Sequence, residues 1–303
     1  MRRFVLVSGL ALAACGDPTD PGSINRIRTV LFYREDTGEN HLLNSDGSGA
    51  RVLPVAGANL VPVGLSSSGD EVALLRGRTL VVSAIANPGA LDTVLDPVPA
   101  QMSLVAFSPD DRYIALVQYL PEPRLLIVDR AGHVDTLRTG DRVPSLPPAF
   151  SPDGTRVALV SVTDLSTQIT IITLNTNRAP TERAGFSPFV YRLVFGWPRW
   201  TDRGLLLGTV RPGGDFDTVA VLAVDPEQPS NHADVILRLV GPPLAYDAGS
   251  SYALSAGGDA VVLAAVPLLR GGRDLFYGTA QGGSLVRLLT DPGARPAFPL
   301  LLP

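Results

Sequence analysis

The chain has no lysine and a single cysteine among its 303 residues. All 25 basic residues are arginine, which we read as coding bias in a GC-rich genome rather than as a functional feature. One cysteine excludes a disulfide within the chain, so the fold must rest on its core, and the length is ample for one. A net charge of −4 without a basic cluster argues against nucleic acid as a partner. The three histidines, His41, His133 and His232, lie far apart and lack ligand spacing, so neither a metal nor another cofactor is expected. No Gly-x-Ser-x-Gly elbow is present. No stretch holds a 3.6-residue period through three turns, and 27 prolines and 30 glycines would interrupt most helices. Beyond the N-terminus, no apolar run is long enough and clean enough to be a membrane helix.

What is present begins at the N-terminus. Met1-Arg2-Arg3 is a short positive segment, Phe4 to Ala14 is apolar but short for a bilayer span, and the run ends in Leu12-Ala13-Ala14-Cys15-Gly16. That ending resembles the bacterial lipobox, in which small residues precede the cut and the cysteine thiol carries the lipid. The expected organisation is a signal peptide over residues 1–14, a lipidated polar tether over 15–27 anchored through Cys15, and one folded domain over 28–303. Gly16, rather than Asp, after the cysteine implies the outer membrane, facing the periplasm, if the host is diderm.

The rest reads as all-β: apolar runs of about 5–8 residues alternate with Gly, Pro, Asp and Ser clusters. Segments such as Thr29–Arg34, Asn40–Asn44, Ala50–Val55, Thr79–Ile85, Asp92–Leu95, Arg124–Asp129, His133–Arg138 and Gln168–Leu174 read as strands. One stretch recurs. Phe150-Ser-Pro-Asp-Gly-Thr-Arg-Val-Ala-Leu has a near copy in Phe107-Ser-Pro-Asp-Asp-Arg-Tyr-Ile-Ala-Leu, and looser copies start at Leu65, Trp200, Leu254 and Phe298. These six markers are separated by 42, 43, 50, 54 and 44 residues, the length of a four-stranded blade. Rim-loop insertions near Asn175–Ser187 and Asp225–Asp234 account for the longer intervals. Three strand-like segments precede the first marker and one follows the last. Together they complete a blade, which predicts a six-bladed β-propeller closed by N-terminal strands plus a C-terminal strand, with no open sheet edge.

The Phe-Ser-Pro-Asp-Gly-x-x-Val-Ala-Leu pattern resembles the repeat of TolB-type, or WD-like, propellers, over essentially Arg28 to Pro303. The resemblance implies a cell-envelope protein. The same repeat occurs in the propellers of prolyl oligopeptidase-like peptidases, but no hydrolase motif accompanies it here. The Tol-system protein also carries an α/β domain before its propeller, for which this chain leaves no room.

Most chemically conspicuous residues have a structural reading. Asp110, Asp111, Asp153 and Asp202 fall in the repeat hairpins and are expected to build turns. Asn44-Ser-Asp-Gly-Ser-Gly lacks the closing Glu of a calcium loop, with Val55 in its place, and reads as a hairpin. Trp200 occupies a marker position and is expected in the core, which leaves Trp197 and Arg199 as the candidate exposed binding contact. The functional expectation is a monomeric, non-catalytic, membrane-anchored module that binds an envelope protein, peptide or glycan. The alternative is a lactonase- or lyase-like enzyme with a metal in the central channel, for which acids on the innermost strands would be required. Those strands read as apolar.

Overall fold

The computed structural model describes residues 27–302, apart from 56, 58, 140–142, 163–166, 175–180, 185–191, 194–195, 212–215, 227–232, 246–249, 269–271, 290 and 292. Cys15, His232, the leader and nearly all of the tether lie outside the described residues, as do most of the two rim insertions. The described residues form strands and turns, with no α-helix.

Blade I contains β1 (Thr29–Arg34), β2 (Glu39–Asn44) and β3 (Arg51–Leu53). Blade II contains β4 (Val61–Leu65), β5 (Glu71–Arg76), β6 (Thr79–Ala84) and β7 (Asn87–Leu95). Blade III contains β8 (Ala106–Phe107), β9 (Tyr113–Gln118), β10 (Arg124–Asp129) and β11 (Val134–Arg138). Blade IV contains β12 (Ala149–Phe150), β13 (Arg156–Val162), β14 (Thr167–Thr173) and β15 (Thr181–Ala184). Blade V is built from β16 (Arg192–Leu193), β17 (Arg199–Thr201), β18 (Gly204–Arg211), β19 (Asp217–Val224) and β20 (Asp234–Gly241). Blade VI is built from β21 (Leu244–Ala245), β22 (Ser251–Leu254), β23 (Ala260–Pro267), β24 (Asp274–Thr279) and β25 (Val286–Arg287). The final strand, β26 (Pro296–Leu301), returns to blade I in the order β26-β1-β2-β3.

Each blade is an antiparallel sheet of four strands. In blades V and VI the innermost strand comes as two short pieces on one partner, β16 and β17 on β18, and β21 and β22 on β23. The innermost strands touch in sequence around the ring, β26 to β4, β4 to β8, β8 to β12 and β12 to β17; β18 then meets β22, and β22 returns to β26. The circle is complete. Ring closure follows the expected scheme, with Val30 opposite Leu301 and Leu31 opposite Leu300.

The second strand of each blade is covered on both faces by its neighbours, hence its nearly continuous apolar sequence. Val157, Ala158, Leu159 and Val160 of β13 are wholly buried, as are Leu205, Leu206 and Leu207 of β18. Each such Val or Leu contributes about 1.5–3 kcal/mol on burial.

The recurrent turn is a hydrogen-bonded device rather than a site. Ser66, Ser108, Ser151 and Ser255 are all buried, and each hydroxyl accepts the backbone N–H five residues on, at 3.0 Å. In three copies the same hydroxyl donates to the turn aspartate, Asp110, Asp153 or Asp259, at 2.5–2.6 Å. The last turn position is left-handed in every one of these four copies. Gly69, Gly154 and Gly258 occupy it in three, with φ between 69° and 80°, and Asp111 in the fourth, with φ 57°. Only glycine takes that conformation without a steric penalty. Asp111 has another use, because its carboxylate accepts the N–H groups of Ser67 (2.5 Å) and Ser68 (3.1 Å) from the preceding blade.

Arginines also join neighbouring blades. Arg130 pairs with Glu71 and lies 5.2 Å from the centre of the Phe107 ring, while Arg156 stacks 4.9 Å over Trp200. Arg28 grips Asp259 with both carboxylate oxygens engaged, at 2.9 and 3.1 Å.

Two predictions follow from these turns. Asp111→Gly relieves backbone strain worth about 0.5–1 kcal/mol but removes two charge-assisted bonds between blades, so urea unfolding is expected to show a net loss of about 1 kcal/mol. Asp111→Asn, which tolerates the conformation and keeps an acceptor, loses less. Acid should also destabilise the fold. The Ser151 hydroxyl and Thr155 N–H hold Asp153 at about 2, and the Arg34 guanidinium holds Asp36 at about 2. Both values lie below the unfolded value of about 3.9, so the unfolded chain binds more protons and stability falls as pH drops from about 4 through 2. Asp153→Asn is expected to flatten that decline in pH-dependent denaturation.

Candidate functional site: the mouth of the central channel

All six blades contribute to one concave site. At the ends of the innermost strands, where they enter the serine turns, a pocket of about 340 Å³ opens on the channel axis. Its walls are mainly apolar, including Leu65, Val105, Phe107, Phe150, Leu254 and Leu301, with Ser66, Ser67 and Thr201 adding hydroxyls. Among the described residues that line it, Arg199 carries the only charge. This combination of an apolar wall and few polar groups is the usual composition of a ligand pocket.

Trp197 is not the exposed contact expected from the sequence; it retains 9 % exposure and belongs to the core. Its backbone N–H donates to the Tyr252 carbonyl of blade VI at 3.2 Å, and its indole N–H donates to the Val63 carbonyl of blade II, also at 3.2 Å. Blades V and II stand opposite each other in the ring, so the indole spans the channel and floors the pocket. Two local features make room for it. The β4–β5 register slips between Pro62 and Gly64, leaving the Val63 carbonyl to accept both Trp197 and the Val105 N–H (2.8 Å). Gly196 bridges to Tyr252 in parallel, and a Cβ there would collide with the Tyr252 carbonyl and ring.

Arg199 follows Trp197 by two residues. Arg199 opens β17 and lines the same pocket as Trp197. Burial pulls its pKa below the ordinary arginine value, and no carboxylate or hydrogen-bond partner among the described residues offsets that cost. Trp200 also lines the pocket, packs against the apolar cluster between blades IV and V, and is only partly buried beneath Arg156.

The other candidate residues are dispersed. His41 stacks on Phe32 with ring centres 5.6 Å apart, and burial together with Arg34 lowers its pKa against the pull of Glu39. His133 is exposed on blade III, where Asp129, 2.8 Å from its Nδ1, raises its pKa. No group of three His, Cys, Asp or Glu residues placed to hold a metal occurs among the described residues. Asp46 closes the Asn44–Gly49 hairpin by accepting the Ser48 N–H (2.9 Å) and hydroxyl (2.6 Å). Asp202 lies exposed in the β17–β18 turn. The sequence did point to the Trp197–Arg199 segment, but no signal in it distinguished a plug across the axis from a surface contact.

No family model and no curated protein matches the chain. Solved structures do match. TolB from Acinetobacter baumannii superposes with a TM-score of 0.66 at 16 % identity, covering 91 % of this chain and 67 % of that one. The fold is that of a TolB-type propeller. The putative TolB from Agrobacterium tumefaciens gives a TM-score of 0.52 at 13 % identity, covering 92 % of this chain and 99 % of that one. A chain in a nidogen/laminin complex gives 0.62 at 12 % identity, covering 91 % and 98 %. At these identities the likeness to TolB-type propellers concerns architecture.

The plug yields a direct test. Trp197→Phe keeps most of the ring but leaves the Val63 carbonyl one donor short, an expected loss of about 1 kcal/mol in chemical denaturation. Trp197→Ala also opens a cavity across the axis and is expected to cost about 3–5 kcal/mol.

Proposed function

We propose that this protein is a lipid-anchored envelope module whose propeller binds a partner protein, peptide or glycan at the channel mouth without catalysing a reaction. The observation that carries the reading is the pocket itself: six blades converge on one apolar, floored concavity with a single cation. Pockets of this composition recognise shape and one polar group. In this reading residues 1–14 are a removed leader, Cys15 is the lipidated terminus of a tether over residues 15–27, and residues 28–303 are the binding domain. A likeness to TolB-type propellers and to a chain in a nidogen/laminin complex supports a role in binding, and the lipobox-like Leu12–Gly16 supports the anchor.

Two measurements test it. Metabolic labelling with a palmitate analogue is expected to mark the wild-type protein and leave Cys15→Ser unlabelled, with the wild type sedimenting in the outer-membrane fraction of a diderm host. Crosslinking in intact cells from a photoreactive residue at Ser67, on the mouth, is expected to capture a partner that a residue at Glu122, on an exposed turn, does not. Labelling that survives in Cys15→Ser, or equal capture from both positions, would overturn the proposal.

A further inference from the structure

Arg199 is a charge without a counterion. It lines a pocket whose other described residues are uncharged, and it makes no ion pair or hydrogen bond among the described residues. A guanidinium cannot escape this cost by losing its proton at any ordinary pH, unlike a buried lysine or histidine. Arg199 is half-buried, so its charge is partly withdrawn from water with no carboxylate among the lining residues to offset the loss. Other arginines of the molecule are treated differently: Arg28 lies against Asp259, Arg34 against Asp36 and Asp291, Arg130 against Glu71, and Arg287 against Asp274. Arg199 instead lines the pocket that Trp197 floors.

We propose that the channel mouth is a carboxylate-binding site, in which the Arg199 guanidinium takes the carboxylate of a ligand whose compact apolar body fills the space between Phe107, Phe150, Leu254 and Leu301. This deepens the binding-module reading and rests on the same pocket. The planar guanidinium fork matches a carboxylate with two parallel N–H···O bonds, and low local polarity strengthens them. The enclosed wall excludes water and rewards apolar surface on the ligand, while one cation in about 340 Å³ selects a monoanion over a highly charged one. The Ser67 and Thr201 hydroxyls, which also line the pocket, donate their protons to the Ser108 and Gly204 carbonyls, so Arg199 is left as the main polar anchor for a ligand.

The experiment is thermal unfolding of the detergent-extracted full-length protein at constant ionic strength. The probes are 4-phenylbutyrate, N-acetyl-alanyl-leucine with a free carboxylate, the amides of both, and inorganic phosphate. Saturable upward shifts of several degrees are expected from the two carboxylates, with at least tenfold weaker effects from the amides and from phosphate. The shifts should vanish in Arg199→Met and persist in Arg203→Gln, which removes an equal charge from the exposed β17–β18 turn. Without ligand, Arg199→Met is expected to unfold at or above the wild-type temperature, because it removes a charge that lacks a partner. A larger shift from the dipeptide assigns the site to a peptide C-terminus, and a larger shift from phenylbutyrate assigns it to a free small acid. Carboxylate and amide acting alike, phosphate acting most strongly, shifts retained in Arg199→Met, or a marked loss of stability in ligand-free Arg199→Met would each overturn the proposal. Soluble probes report on the pocket whether or not a macromolecular partner is captured in cells, so the two readings fail separately.

Discussion

The pairing of β26 with β1 is the constraint on which the ring depends. Val30 faces Leu301, Leu31 faces Leu300, and the Leu302 N–H reaches the Thr29 carbonyl at 2.9 Å. These bonds join segments separated by nearly the whole chain, so each intervening blade must take its share of the rotation before they can form. Closure leaves no innermost strand with an exposed ladder and holds six strand ends around one axis. The channel mouth exists because the ends of the chain meet.

Within that frame the repeated turn and the arginines divide the work of assembly. The buried motif serine closes the hairpin in four of the blades, in each case by accepting the backbone N–H five residues on. Asp111, Arg28, Arg130 and Arg156 then reach from one blade to the next. These residue types would draw attention in a search for catalysis, but hydrogen bonds to their own backbone or to the neighbouring blade already engage them. Trp197 makes the corresponding connection across the axis, using the indole N–H to join opposite blades and close the floor. Among the described residues that line the pocket, Arg199 is the one charged group, and no described carboxylate pairs with it.

Much of the fold was legible in residue order. The spacing of the markers from Leu65 to Phe298, the three strand-like segments before them and the one after them anticipate six blades and their mode of closure. β1 and β10 have the bounds that alternation of apolar residues suggests. β3 is shorter than its apolar pattern implied, and the innermost strands of blades V and VI are split. In blade V the segment between the two pieces makes contacts no local pattern encodes: Gly196 bridges to Tyr252 on the next blade, and Trp197 turns across the channel to Val63.

The sequence by itself determined the architecture, because a propeller repeats one local unit and each copy carries its own turn chemistry and apolar strand. It also singled out the segment from Trp197 to Trp200 as unlike the other copies. Only the tertiary structure decided what these residues do, since their roles depend on partners 44 to 134 positions away that the closed ring brings together. The indole that read as a surface contact is the channel floor, Trp200 is a stacking partner for Arg156, and Arg199 is a half-buried cation in a pocket whose other described lining residues supply no carboxylate.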